Sequence, residues 1–464
     1  MTGRPRRSRT TRAPRRGPAA PPSVGIVGLG YVGTATALAF AHYGQPVVAF
    51  DLLESRRAEV RSGRLDTAEA GLAAELRRSV RGGRLKVADS VADVVTAAPL
   101  VLLSVPTPSG NDGAVDLGAV EAAARAVGHA IRGVPGWRSV VLKSTAVPGT
   151  CDGLLATTVA AASGREIDRQ VGVGANPEFL AEGSLVADAL HPSRIVLGVR
   201  ESRTERLLRR AYRRFPAPVL VVPPAVAELV KYTSNALLAT KVSFANEIAS
   251  VAESLGVDVD RVMDGVGLDP RLGRQFLAAG PGFGGSCFDK DVRALVAFAG
   301  GRGIELLLAR STLEVNARQA VHVVDLAEGA AGPLSGRTVA LLGLSFKPGT
   351  EDVRGSQAYP ILEELLRRGA AVRLHDPSSG ARFLASMPAG APSADPDRVR
   401  LCSTFRQAIS DAQVAIVHAD WPVYRNAPAS AWAAPRLSVV VDTRRTLSAR
   451  KLAGQGIRVV GLGR

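Results

Sequence analysis

Residues 24–51 read VGIVGLGYVGTATALAFAHYGQPVVAFD, and no other stretch limits the fold as tightly. A short apolar strand runs into Gly28, Gly30 and Gly33. An apolar helical pattern follows, then a second strand that ends at Asp51. Glycines at this spacing let a strand turn sharply into a helix and let backbone approach a pyrophosphate on the helix N-terminus. Tyr31 and Val32 sit between them, where the helix opens. A carboxylate 18 residues past Gly33 accepts ribose hydroxyls and repels a 2′-phosphate, so NAD is expected rather than NADP. The same turn also serves as a tight corner without a ligand, but strand, glycines, helix and acid together favour the dinucleotide.

The alternation continues with strands expected near 100–105, 138–143 and 171–175, which implies a parallel sheet covered on both faces. Residues 225–255 then hold no Gly or Pro. Pro223 and Pro224 precede them and Gly256 stops them, so one long connecting helix is predicted. Beyond about residue 335, TVALLGLSF, AAVRLHD, VAIVHAD and SVVVDT restart the strand–helix pattern. At 464 residues the chain exceeds one core. The predicted fold class is α/β, with two Rossmann-like doubly wound domains joined by a long central helix. The expected division is a disordered Arg/Pro-rich tail (1–22), a cofactor domain (23–215), a helical domain (216–325) and a second Rossmann-like domain (326–464). The cleft between the two α/β domains is the natural ligand site.

Composition narrows the partners. No apolar run spans a membrane, and no apolar segment follows the basic N-terminus as a secretory signal requires. The three cysteines lie far apart, which fits free thiols in a reducing cytoplasm. Six scattered histidines argue against zinc. Of the net charge of +16, seven Arg sit in residues 1–16 with no acid among them. Such a segment cannot form a core. Salt-dependent DNA binding lost with residues 1–22 would mark it as a nucleic-acid arm; a solvated tail is the expectation. The remaining positive charge suits an anionic, phosphorylated substrate.

The chemistry concentrates in GPGFGGSCFDKD, residues 280–291. Cys151 and Cys402 read as buried thiols. Cys287 differs: Gly282, Gly284 and Gly285 leave it uncovered, and it precedes a predicted helix whose dipole, with Lys290, favours thiolate. A nucleophilic thiol beside a dinucleotide site points to a thiohemiacetal, hydride loss and a thioester. Lys231 and Asn235 share a face of the long helix. In ANPEFLAEG, Asn176 is read as a cap and Pro177 as the start of a short helical turn, with Glu178 and Glu182 on one face.

Seven segments in order, GLGYVG, KSTAVPGT, NPEFLAEGSLVADALHPSRIVLG, ELVKYTSNALLATKVSFANEIA, DPRLGRQF, GPGFGGSCFDKD and FKPGTEDVRGS, resemble the UDP-glucose/GDP-mannose dehydrogenases. The resemblance covers all but the tail. It implies two successive oxidations of a sugar C6 alcohol to the carboxylate, with two NAD reduced. Cys287 matches the nucleophile, Lys231 the group that steadies the oxyanion beside Asn235, and Asp291 and Thr145 the residues that order water. Glu178 matches the base for thioester hydrolysis. Glu182, Phe179 and Leu180 would line the sugar and nicotinamide region, and Phe276 to Gly282 the loop over the nucleotide sugar. Arg271 matches an arginine supplied across a dimer interface. Phe346, Lys347 and Arg444 would contact the nucleotide, and Arg354 the cofactor. Arg56, Ser104, Pro106, Thr107, Ser144, Thr145 and Lys290 complete the implied cofactor contacts. A homodimer through the long helix is expected, with no membrane partner.

Two positions depart from the family pattern. Asp289 stands where Pro is common and is expected to raise the Cys287 pKa. Thr443 replaces the Gly of a D-G-R motif, which loosens the assignment of Arg444. UDP-glucose is the favoured substrate; GDP-mannose or a UDP-N-acetylhexosamine is the nearest alternative, and a non-catalytic nucleotide-sugar-binding homologue the alternative of another class.

Overall fold

The strands VGIV, LVLL, VAIV and VVVD are apolar at almost every position and are buried along their whole length. A strand without a polar face needs helices on both sides of its sheet. A computed structural model describes residues 22–65, 69, 71–110, 112–387, 395 and 397–464. The expected tail falls almost wholly in residues 1–21, outside the described residues.

Two sheets form. The first holds β1 (Val24–Val27), β2 (Val47–Phe50), β3 (Leu85–Val87), β4 (Leu100–Leu103), β5 (Arg138–Leu142), β6 (Val171–Ala175), β7 (Ile195–Val199) and β8 (Val219–Val222). Their order is β3-β2-β1-β4-β5-β6-β7-β8. Every pair is parallel except β6 and β7, which run antiparallel. The alternating pattern predicted parallel pairing throughout. The reversal arises because β6 reaches β7 through a loop and one short helix, Leu185–Leu190, instead of a full crossover. The second sheet holds β9 (Thr338–Leu342), β10 (Ala371–His375), β11 (Val399–Leu401), β12 (Val414–Val417), β13 (Val439–Asp442) and β14 (Arg458–Gly461), ordered β11-β10-β9-β12-β13-β14 and parallel throughout. Each sheet reverses its winding once, between β1 and β4 and between β9 and β12. Such points open a crevice at the carboxyl edge of the strands.

The long helix runs Pro224–Leu255, 32 residues, with Pro at its start and Gly256 at φ 64° closing it. At 1.5 Å per residue it spans about 48 Å. Ala227 packs into the core of the first sheet, whereas Ala245, Ala249 and Ala252 pack into the core of the second. One rigid element therefore belongs to both lobes. The helix Leu307–Ala331 returns along it, held where Thr240 meets Thr312 (2.9 Å) and Ser243 donates to the Thr312 carbonyl (2.8 Å). β8 lies beyond residue 215, and this returning helix continues past residue 325. Among the described residues no helix is long and apolar enough to cross a membrane.

His418, at the carboxyl end of β12, is fully buried, with its ring on the Gly343 carbonyl at 2.9 Å. Burial, helped by Arg444, pulls its pKa down to about 3. The unfolded chain takes up a proton below about pH 6.5 that the native imidazole refuses, so stability drains as pH falls from there toward 3. Between pH 7 and pH 5 this costs about 2 kcal/mol. Comparing melting curves at the two pH values, the His418→Asn variant should lose less stability on acidification than the parent.

Candidate active site

The glycine turn has the geometry a dinucleotide needs. Gly28 adopts φ +98°, and a Cβ there would lie 2.2 Å from the Ser104 carbonyl oxygen. A Cβ on Gly33 would lie 1.9 Å from the Gly28 carbonyl oxygen, so strand and helix touch backbone to backbone. Gly30 faces open space. The helix Tyr31–His42 has neither a side-chain cap nor an acid in its first turn, so its leading N–H groups are left for an anion. These residues fit NAD. Asp51 braces the turn: its carboxylate accepts from the Leu29 N–H (2.7 Å) and the Leu53 N–H (2.9 Å). Arg57, which the sequence did not single out, donates to the Asp51 carbonyl at 2.6 Å, while Arg56 turns to Glu59. Ser144 donates to the Val105 carbonyl (2.6 Å) and Thr107 to the Thr145 carbonyl (2.9 Å), which ties the ends of β4 and β5, with Ser104 and Pro106, into one rim.

Five candidate residues from three separate segments meet at the base of the cleft. Lys231, buried on the long helix, lies 3.0 Å from Glu178, which is buried too. The second Glu178 oxygen accepts from the Leu180 N–H at 2.6 Å. Asn235, one turn beyond Lys231, donates to Asp291 at 2.6 Å, and Lys290 holds the other Asp291 oxygen at 2.6 Å. Cys287 caps the helix Phe288–Gly300 and opens to the cleft, with the Ser286 hydroxyl 3.7 Å from its sulfur.

Charge balance in this cluster differs from the sequence expectation. Burial works against the Lys231 ammonium, but Glu178, Asp291 and Cys287 outweigh it and hold its pKa above the ordinary value. Burial likewise opposes the Glu178 carboxylate, but Lys231 and the Leu180 N–H keep it below the carboxylate range. The Cys287 thiol is pushed up, first by burial and then by Glu178; Lys231 opposes. The predicted help from Lys290 goes to Asp291 instead, and Asp289 is taken by Arg293 at 2.7 Å. The thiol is therefore harder to ionise than a free one.

The ANPEFLAEG segment is no helical turn. Residues 176–182 are irregular, and the helix begins only at Leu185. Asn176 caps nothing: buried, it accepts from Lys143 (3.1 Å) and from the Tyr212 hydroxyl and donates to the Val196 carbonyl (2.9 Å). An extended chain sends Glu178 and Glu182 to different places. Glu182 receives the Ser286 hydroxyl at 3.3 Å and lies 3.5 Å from Arg354, which is itself clamped on Asp352. Burial and the Asp352 carboxylate push Glu182 up to about 7. This cluster spans the two lobes beside a pocket of about 300 Å³ lined by Tyr31, Glu182 and Thr350. Phe179 is covered by the Arg194 guanidinium, 3.8 Å from its ring centre.

The second lobe meets the thiol loop through its glycines. A Cβ on Gly284 would sit 2.5 Å from the Gly355 carbonyl oxygen, and one on Gly285 3.0 Å from the Phe346 ring. Gly282 is equally tight, 2.7 Å from Asn316. Close packing of the lobes, rather than exposure of sulfur, requires these glycines. Lys347 approaches Gly183, and Arg444 lies over Gly280 while donating to the His418 carbonyl at 3.1 Å. Thr443 is fully buried and donates to the Val417 carbonyl at 2.8 Å, so the fold absorbs that departure. Phe276 is exposed at φ 63°. Arg271 is exposed with its guanidinium on Asp269 and is not drawn into the cluster. Glu228 carried no sequence signal beyond lying one turn before Lys231. Its carboxylate accepts from the Gly149 (2.6 Å) and Cys151 (2.8 Å) N–H groups and anchors the loop after Thr145. Cys151 and Cys402 are buried, as read.

A dinucleotide turn facing a second α/β lobe, with a thiol and an ammonium between them, defines a two-lobed nucleotide-dependent oxidoreductase. The chain belongs to the UDP-glucose/GDP-mannose dehydrogenase family: the family's NAD binding domain matches residues 22–216, its central domain 225–318 and its UDP binding domain 340–449. The cofactor is NAD. A UDP-glucose 6-dehydrogenase of Pseudomonas aeruginosa is 37% identical over 95% of this chain and 97% of its own. A UDP-glucose dehydrogenase structure from Pyrobaculum islandicum superposes with a TM-score of 0.86 at 41% identity, covering 94% of this chain and 97% of the other. A UDP-D-ManNAc dehydrogenase from Pyrococcus horikoshii gives 0.81 at 25% identity, covering 95% and 99%.

Asp51→Asn removes the charge and one of the two acceptor oxygens that brace the turn. Initial-rate kinetics should show KM for NAD raised about tenfold or more, as expected for losing charged hydrogen bonds, with discrimination against NADP relaxed. Unchanged constants for both cofactors would remove Asp51 from the site.

Proposed function

We propose that this protein oxidises UDP-glucose to UDP-glucuronate in two NAD-dependent steps at one site. The observation that carries this reading is the convergence of Cys287, Lys231, Glu178, Asn235 and Asp291 at the base of the cleft. NAD, when bound, accepts a hydride at each oxidation. The C6 hydroxyl releases its proton to solvent, and the Lys231 ammonium steadies the resulting alkoxide and later the oxyanion. Cys287 adds to the aldehyde, and its proton passes to the new hydroxyl of the thiohemiacetal. After the second hydride leaves and the thiohemiacetal hydroxyl gives up its proton to solvent, a thioester remains on sulfur. Thr145 and Asp291, the latter fixed by Asn235, hold a water, and Glu178 takes its proton as the water attacks. The C–S bond breaks, the carboxylate leaves and Cys287 regains a proton. The Lys231 ammonium and the Leu180 N–H hold both Glu178 oxygens, which keeps it a base and not a nucleophile.

The remaining roles follow the cleft. Gly28, Gly30, Tyr31, Val32, Gly33, Asp51, the β4–β5 rim and Arg354 would hold NAD. Phe346, Lys347 and Arg444 hold the nucleotide diphosphate, and Phe179, Leu180, Glu182 and Phe276 to Gly282 enclose the sugar. The chain works as a cofactor unit (23–215), a helical unit (216–325) and a nucleotide-sugar unit (326–464), in a reducing cytoplasm. It pairs as a homodimer along the long helix, where Leu237, Phe244 and Val251 recur every seven residues and stand 61%, 49% and 53% exposed. Arg271 reaches the partner's cleft.

A panel of nucleotide sugars scored by NADH per sugar consumed tests the substrate and the stoichiometry. Two NADH per UDP-glucose is expected; turnover confined to GDP-mannose or a UDP-N-acetylhexosamine would reassign the substrate. Cys287→Ser should abolish acid formation while NAD still binds, and undiminished acid would refute the nucleophile. The pair Leu237→Glu and Phe244→Glu should convert a dimer to monomers in sedimentation; an unaltered profile would place the interface elsewhere.

A further inference from the structure

Lys143, the first residue after β5, is buried, and its ammonium donates to Asn176 at 3.1 Å. Asn176 is itself immobilised by Tyr212, by the Val196 carbonyl and by its backbone N–H on the Leu142 carbonyl (2.8 Å). A single neutral acceptor does not offset the burial of an ammonium. The compensating charge is Glu178: both residues line one pocket of about 480 Å³ together with Phe179 and Arg194. Glu178 thus pairs with the buried Lys231 of the long helix at 3.0 Å and shares a pocket with the buried Lys143 at the carboxyl end of β5.

We propose that Lys143 is a positioning residue for the hydrolytic half-reaction, its locked ammonium acting through Glu178 to set the acid edge below which thioester hydrolysis fails. This rests on the reading of Glu178 as the base. The other charges facing the pair are Cys287 from the helix it caps, Asp291 beyond Lys231, Arg194 stacked on Phe179, and Asp188, which is tied to the Ala181 N–H and the Ser184 hydroxyl. Burial lowers Lys143 to about 8, Glu178 opposing and Lys231 adding to the fall. Across the acid range the ammonium is therefore charged. There it resists protonation of Glu178 and holds the carboxylate ready at lower pH than Lys231 alone would.

The test is a single turnover with UDP-glucose and NAD, quenched over an acid pH series, following decay of the Cys287 acyl adduct by intact mass. Lys143→Met should move the acid edge of the decay upward by about one pH unit. Lys143→Arg, which keeps the charge, should leave the edge in place even if the rate falls. A structural role alone would slow both variants without moving the edge, and that result overturns the proposal. If Lys143→Met does not fold, Lys143→Gln, which still donates to Asn176, carries the same expectation. Glu178→Gln separates the two readings: it should accumulate the adduct and abolish the edge. If the edge survives Glu178→Gln, the base assignment itself fails; if it vanishes there but does not move in the Lys143 variants, only the role of Lys143 fails.

Discussion

The ion pair between Lys231 and Glu178 is the contact on which the site depends. Taking both charges out of water costs several kcal/mol each, and their attraction offsets this only with good geometry and further hydrogen bonds. The Leu180 N–H supplies one such bond and the neighbouring Asp291 further compensation. Geometry is enforced from two directions. The long helix fixes Lys231, and the irregular chain after β6 lets Glu178 turn inward to meet it. A helical turn at 176–182 would have sent the carboxylate elsewhere.

That pair also governs the thiol. Cys287 lies near an ammonium that favours its anion and a carboxylate that opposes it, and enclosure tips the balance toward the protonated form. A thiol that is harder to ionise resists idle oxidation and alkylation.

The two lobes are coupled through backbone. Gly284 and Gly285 let Gly355 and Phe346 press directly on the loop that carries Cys287. The Glu182, Ser286, Asp352 and Arg354 cluster bridges the same seam. A shift of the second lobe therefore presses on the chain two residues from the sulfur. Ala227 in one core and Ala252 in the other set the spacing that makes this contact possible.

Local patterns in the chain determined a large part of this. Apolar runs buried on both faces demanded parallel sheets, the glycine spacing with Asp51 demanded a dinucleotide turn, and an uninterrupted segment after Pro224 demanded one long helix. Each is a short-range rule of backbone sterics or hydrophobic period, readable without neighbours. The meeting of Cys287, Lys231, Asn235, Asp291 and Glu178 was anticipated through family likeness; spacing along the chain does not contain it. Tertiary structure alone decided the antiparallel step at β7, the irregular path around Glu178 and the partners that disarm Lys290 and Asp289. It alone placed the buried ammonium of Lys143 and the carboxylate of Glu228. Those outcomes depend on which charge lies within a few ångströms of which, and on how much water is excluded there, and both are properties of packing between segments remote in sequence.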